Sequence, residues 1–522
     1  MKKVLFYLLL FICSFSTATF AQSYRRVSEK EALYIAKKQF TGKDVDYSTP
    51  SGIILENDTI PLSIRQADVA NRLSMRYPFR SNNADEVREQ PVYLNVTTTA
   101  AGQLAEKVGD DINNVDSLIV NGPINDTDFY TLWSGTFYGR LSVINLENAE
   151  IINGVIPEWA FCRPKEQVID GFIYSIGLRR IIFPEGLKVI GKSAFNFVDN
   201  LEDINIPTSL QRIESSAFEN CWLLKTNPLV FPEGFEKLEE RAFMNCSELK
   251  GSVVLPSTIK EIGALAFYLS KITSINFPEG LEEIGNKAFF DCRFKEVVIS
   301  NPNIIWSGES QFGWNLKLEK ISLPEEMTYI PPRFLEFCIE LKDFSIPSDV
   351  KVIKSGAFNE CYNLQKLELP AGLEEIEDQA FSECNALEEI VFPASLKTLG
   401  AESCTKWTNI KRIYSMAAEP PVCKVNMNSG ATPFYPGTPN NIPVYVPTGT
   451  AEKYRNAKGW DYFTNFIETD DFPTSTINDI NIEQQESKQG IYDLSGRKVT
   501  TTEKGKVYII NGKKVITDNN SH

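Results

Sequence analysis

One dipeptide recurs along this chain at a nearly constant interval. Ala-Phe stands at Ala194-Phe195, Ala217-Phe218, Ala242-Phe243, Ala266-Phe267, Ala288-Phe289, Ala357-Phe358 and Ala380-Phe381. Gln311-Phe312 and Arg333-Phe334 continue the series across the gap, so successive phenylalanines lie 22 to 25 residues apart. A period in this range makes each unit one coil of a stack, because a single unit is too small to bury its own apolar side.

The segments Asn200-Leu201-Glu202-Asp203-Ile204-Asn205-Ile206-Pro207 and Asn363-Leu364-Gln365-Lys366-Leu367-Glu368-Leu369-Pro370 show how a unit begins. The full pattern is L-x-x-I-x-I-P-x-x-L-x-x-I-x-x-x-A-F-x-x-C. The I-x-I alternation predicts a short strand with its middle residue outward. Proline then ends the strand, since it cannot donate to a ladder. The return path carries Leu, Ile, Ala and Phe inward. Stacked coils therefore predict an α/β-type repeat solenoid with a parallel sheet on one side and the phenylalanines opposite. Its outward row includes Arg180, Asp203, Asn205, Asn276, Glu296, Lys320, Ser322, Asp343, Ser345, Lys366, Glu368 and Glu389, which form the candidate binding face. No aromatic run and no single charge sign stands out in that row.

Over roughly residues 175–415 this unit resembles the BspA-like, or Treponema-type, leucine-rich repeat. The resemblance implies a right-handed leucine-rich-repeat solenoid in a bacterial surface or secreted protein of Bacteroidetes type. Members of that family are implicated in adhesion, so it also implies a protein or glycan ligand, from host matrix or a bacterial surface, and no cofactor.

Composition narrows the chemistry. The net charge is −15 at pH 7, and there is no basic stripe to hold a phosphate backbone, which argues against nucleic acid. The one histidine is His522, so histidine triads and histidine-based zinc sites are excluded, and the chain reads as a non-enzyme. Lys2 and Lys3, the apolar run Val4 to Phe15 and Thr19-Phe20-Ala21 read as a signal peptide over 1–21. That run is too short for a comfortable membrane span, and no later stretch is long and apolar enough to make a transmembrane helix. The expected location is extracellular or on the outer surface of the cell.

Cys221, Cys246, Cys292, Cys361 and Cys384 follow the repeat phenylalanine by three, Cys338 is displaced by one, and Cys404 takes the same place in a shortened unit. In an exported chain such a series reads either as disulfides or as a ladder of buried thiols. Equivalent side chains in stacked coils stand about a strand spacing apart, farther than the roughly 3.8 Å between Cβ atoms of a disulfide, which favours the ladder.

The flanks lack the repeat. Residues 22–90 hold a capping box at Ser28-Glu29-Lys30-Glu31, followed by Ala32, Leu33, Ile35, Ala36 and Phe40 at helical spacing. Residues 27–40 are similar to the opening of streptopain-type peptidase propeptides, which implies, as an alternative function, a peptidase-inhibitor-like module carried on the repeats. Residues 91–161 read as the lead-in that covers the first coil, 162–415 as the repeats and 416–468 as the closing cap, whose aromatic residues suit either a cap or a sugar platform. A polar linker over 469–489 precedes the tail, 490–522. There, alternating strands with Ser495-Gly496 and Asn511-Gly512 turns predict hairpins and resemble the end of a type IX sorting domain. Composition and pattern leave the oligomeric state open.

Overall fold

The computed structural model describes residues 91–162 and 176–473, together with the backbone of six short strands outside them. Residues 1–21, the helix expected over 28–40 and the linker beyond 473 lie outside the described residues. Of the outlying strands, Arg25–Val27 pairs in parallel with Ile53–Leu55. Ile491–Tyr492 pairs antiparallel with Lys498–Val499, as does Val507–Ile510 with Lys513–Ile516.

About 15 turns stack into a parallel-strand solenoid with few helices. The I-x-I segments form the front ladder. It begins with Tyr93–Thr97, Ser117–Ile124 and Val143–Asn145, passes through Arg180–Ile182, and ends with Arg412–Ser415, Pro443–Val446 and Asn465–Glu468. The return path, read from the sequence as a plain connection, is a second parallel ladder. Seven two-residue strands run from Val155–Ile156 to Ile305–Trp306, and five more from Tyr329–Ile330 to Val422–Cys423. Each supplies one inward side chain, such as Ile213, Leu238, Ile262 or Ile376, all fully buried. Two residues are too few to display a period of two, so this ladder leaves no alternation to read.

The Ala-Phe corner closes the coil by an unusual backbone path. Most coils place two residues in the left-handed region four positions apart: Ser193 and Phe197, Ser216 and Asn220, Arg241 and Asn245, Leu265 and Leu269. That conformation costs an L-residue about 1–2 kcal/mol. It is held because alternate N–H groups then point along the stack. Ser193, Phe195 and Phe197 donate to Ser215, Ala217 and Glu219 of the next coil at 2.9, 2.7 and 2.8 Å. The intervening N–H groups of Ala194 and Asn196 close turns within their own coil, onto Gly191 and Ser193. Ala194 and Phe195 both end up fully buried.

The phenylalanines stack nearly flat. Phe195, Phe218 and Phe243 follow one another at centroid distances of 5.0 and 5.1 Å with rings within 6° of parallel. The column changes between Phe312 and Phe334. Phe312 donates to the carbonyl of Phe334, and Leu335 to that of Ala357, the bonds that elsewhere run from a phenylalanine position to an alanine position. Arg333-Phe334 is therefore one residue out of the frame expected from sequence: Phe334 takes the alanine position, crossing Phe312 at 81°, and Leu335 takes the phenylalanine position. Cys338, three residues after Leu335, is in frame and not displaced.

The same register explains the cysteines. Cys221, Cys246, Cys292, Cys338, Cys361 and Cys384 each donate to the carbonyl at the phenylalanine position of the preceding coil, at 3.1 to 3.4 Å. Asn315 Nδ2 does so to Phe289 at 2.8 Å, and Trp407 Nε1 to Phe381 at 2.8 Å. The position requires a small or buried donor for an inward carbonyl, and a thiol meets that need with little polar cost. Cys404 instead occupies the phenylalanine position of the last regular coil, since Phe381 donates to Ser403 just before it. All nine cysteines among the described residues are free and buried.

The ends depart from the coil. Helices Leu104–Val108 and Asp126–Phe137 replace the Ala-Phe corner in the first turns. The second is fixed by a capping box between Asn125 and Asp128, and its Phe129 meets Phe161 edge-on at 6.2 Å. At the other end Tyr454 and Trp460 are fully buried. Tyr454 Oη donates to Ala417 O at 2.7 Å and Trp460 Nε1 to Pro421 O at 3.0 Å, so these two aromatics seal the last coil and are closed to a sugar.

Candidate functional site: the front face

All twelve candidate residues lie on front-ladder strands or directly after them. Most of the charged ones are paired from coil to coil. Arg180 Nε lies 3.5 Å from Asp203, Glu296 3.1 Å from Lys320 Nζ, and Glu389 2.7 Å from Arg412 Nε. Asp343 stands in register opposite Lys366, and Ser345 opposite Glu368. Ser322 stands in register with Val298. Neighbouring signs therefore cancel along the row, and at this exposure each pair contributes only about 0–1 kcal/mol to stability. At the edge of the face Lys225 and Arg179 flank Glu202 and hold its carboxyl below the usual glutamate range.

Asn205 and Asn276 have a different task. Asn205 Oδ1 accepts from Phe183 N at 2.7 Å while its Nδ2 donates to Phe183 O at 3.0 Å. Asn276 grips Leu255 in the same manner, at 2.7 and 2.8 Å. Each amide replaces a backbone partner where a strand stops short, so their polar groups are spent on the fold.

The row read from the sequence ends at Glu389, and the structure carries it further. Val391 is in register with Tyr414, Tyr414 with Tyr445, and Tyr445 with Ile467. Tyr414 and Tyr445 stack with centroids 4.7 Å apart and rings 17° from parallel. Both are half-exposed, and partial burial pushes the Tyr414 hydroxyl up from its ordinary range. Arg412 and Glu389 border the pair. Farther back the same row exposes Val230, Val254 and Val298. The tyrosines were missed because the repeat motif fades after Ile413. Alternation in Arg412-Ile413-Tyr414-Ser415 and Pro443-Val444-Tyr445-Val446 was the available signal.

Chemically, this end of the face offers flat aromatic surface beside one guanidinium–carboxylate pair, an arrangement that binds by contact and stacking. Among the described residues no group of three His, Cys, Asp or Glu side chains could hold a metal ion, and no helix is long and apolar enough to cross a membrane.

No curated protein sequence matches the chain. The chain is similar to a solved leucine-rich repeat protein from Bacteroides ovatus at 19% identity, covering 58% of this chain and 84% of that one, with a TM-score of 0.37. It is also similar to a leucine rich cell surface protein from Faecalibacterium prausnitzii, at 17% identity over 65% and 85% with a TM-score of 0.37. For the pneumococcal vaccine antigen PcpA the values are 19%, 56%, 89% and 0.33. The family described as BspA type Leucine rich repeat region matches in six copies, over residues 169–296, 250–361 and 307–418. Over residues 169–418, by these repeats and the coil they build, the chain is a BspA-type leucine-rich repeat region.

Proposed function

We propose that the protein is a non-catalytic binding protein displayed or released outside the cell, which recognises a protein or glycan through its front face. The observation that carries this reading is the stacked, half-exposed pair Tyr414–Tyr445 at the C-terminal end of that face. Two aromatic rings in register with Val391 and Ile467 are left partly in water, whereas Tyr454 and Trp460 nearby are wholly enclosed. Aromatic side chains with a polar tip are the residues most often found at binding centres. The basic, then apolar, start of the chain supports export.

The test is binding of the full chain to immobilised matrix proteins, mucins and oligosaccharides. The expected result is saturable binding to at least one of them, weakened tenfold or more by Tyr445→Ala. Absence of binding across the panel, or binding indifferent to both Tyr414→Ala and Tyr445→Ala, contradicts the proposal.

A further inference from the structure

The front ladder is open where it ends. Asn465–Glu468 pairs in parallel with Pro443–Val446, and no described strand lies on its other side. Thr469 N donates to Val446 O at 2.9 Å, so the backbone groups of Asn465 and Ile467, two and four residues earlier, turn to that same neighbour. The N–H and C=O groups of Phe466 and Glu468 therefore point away from the stack, and among the described residues no hydrogen bond reaches them.

Proteins blunt such an edge with proline, a bulge or an outward charge. The strand Asn465–Glu468 holds no proline, its pairing is regular, and Asn465, Ile467 and Glu468 are exposed. Its one charge is turned back onto the fold, where Glu468 Oε1 accepts from Ala451 N at 3.0 Å. The outward row is apolar as it reaches this edge: Val391, Tyr414, Tyr445 and Ile467 stand in register on adjacent strands, with Ile467 38% exposed at the end.

We propose that the ligand is a polypeptide: an extended segment of a partner protein that adds as the next strand along Asn465–Glu468, with its outward apolar side chain beside Ile467 and Tyr445. This rests on the front face being the recognition surface and names what that surface takes. An extended chain matches the edge group for group, since it repeats donors and acceptors at the same spacing, and a sugar ring does not. The chain's own tail strands are engaged with one another, Ile491–Tyr492 with Lys498–Val499 and with Val507–Ile510, and the latter with Lys513–Ile516. A second copy's first strand, Tyr93–Thr97, sets polar Asn95 and Thr97 on its exposed side, with Asn95 already accepting from Asn121 Nδ2 at 2.7 Å. A partner segment with apolar residues two apart continues the row as these do not.

The test pans a phage-displayed library of random dodecapeptides, beside an oligosaccharide array, against the full chain, and follows hydrogen exchange residue by residue with the selected peptide. The Phe466 and Glu468 amides are expected to exchange freely in the free chain and at least tenfold more slowly with the peptide bound. Glu468→Pro should bind the peptide at least tenfold more weakly than Glu468→Ala. Both variants lose the carboxylate that meets Ala451, and only the proline removes the N–H on the open edge. If Glu468→Pro fails to fold, Ile467→Lys, which puts a charge on the edge, should weaken binding to the same extent. Peptide binding that leaves both amides exchanging freely overturns strand addition but leaves the front face as the site, as does binding confined to oligosaccharides and lost in Tyr445→Ala. Absence of any ligand sensitive to Tyr445→Ala overturns the front-face reading and this inference with it. Slow exchange of the two amides in the free chain overturns the inference in favour of a second copy if it grows with concentration, and of the chain's own tail if it does not.

Discussion

The inner corner and the outward front row are made by the same coils, yet they follow opposite rules. At the corner, Phe195, Phe218, Phe243, Phe267 and Phe289 occupy one position with one geometry, because each ring must fit between identical neighbours. Where a coil deviates, as at Phe334-Leu335, the frame shifts within the coil and the bonds to its neighbours remain. Along the front, by contrast, positions in register pass from Val298 to Ser322 and from Val391 to Tyr414 and Tyr445 without any shared character. Uniformity is imposed where coils bury each other, and variety is allowed where they face water. Recognition can develop only on the varied side.

The comparison can be broken most forcefully at the corner. Phe358→Ala is expected to lower stability by about 3–5 kcal/mol, because removing a fully buried ring that stacks on Phe381 leaves a cavity in the column. Denaturant unfolding measures it. Cys361→Ala is expected to cost about 1–3 kcal/mol by leaving the Leu335 carbonyl without its donor, and Cys361→Ser less, since the hydroxyl restores one. Burial pushes the Cys361 thiol up to about 12, so a thiol reagent at pH 8 should label it only after unfolding. On the front, Glu296→Gln or Lys320→Met should change stability by under about 1 kcal/mol, as for other exposed pairs. A front-face effect as large as that of Phe358→Ala would erase the distinction.

How much of this could be read in the sequence follows the same division. The coil, its period and its inward residues were legible because each recurs many times and periodicity reports burial. The front strands were legible from I-x-I and its proline. The second ladder was not, since two-residue strands leave no alternation, and neither was the helix Asp126–Phe137, whose Thr and aromatic content and internal Gly135 disguise a cap at Asn125. The site was only half legible. Outward positions could be assigned, but the bonds of Asn205 to Phe183, or of Arg180 to Asp203, depend on the offset between coils. The tyrosine pair joins residues 31 apart across a longer coil, beyond the reach of a repeat of 22 to 25.

The most direct test of the division is to measure unfolding and ligand binding on the same samples of the full chain, Tyr445→Ala and Phe358→Ala, using whichever matrix protein, mucin or oligosaccharide the full chain retains. Tyr445→Ala should bind at least tenfold more weakly with its unfolding midpoint nearly unchanged, and Phe358→Ala should unfold early while its folded fraction binds normally. Equal loss of stability in both variants, or full binding by Tyr445→Ala, would contradict the account.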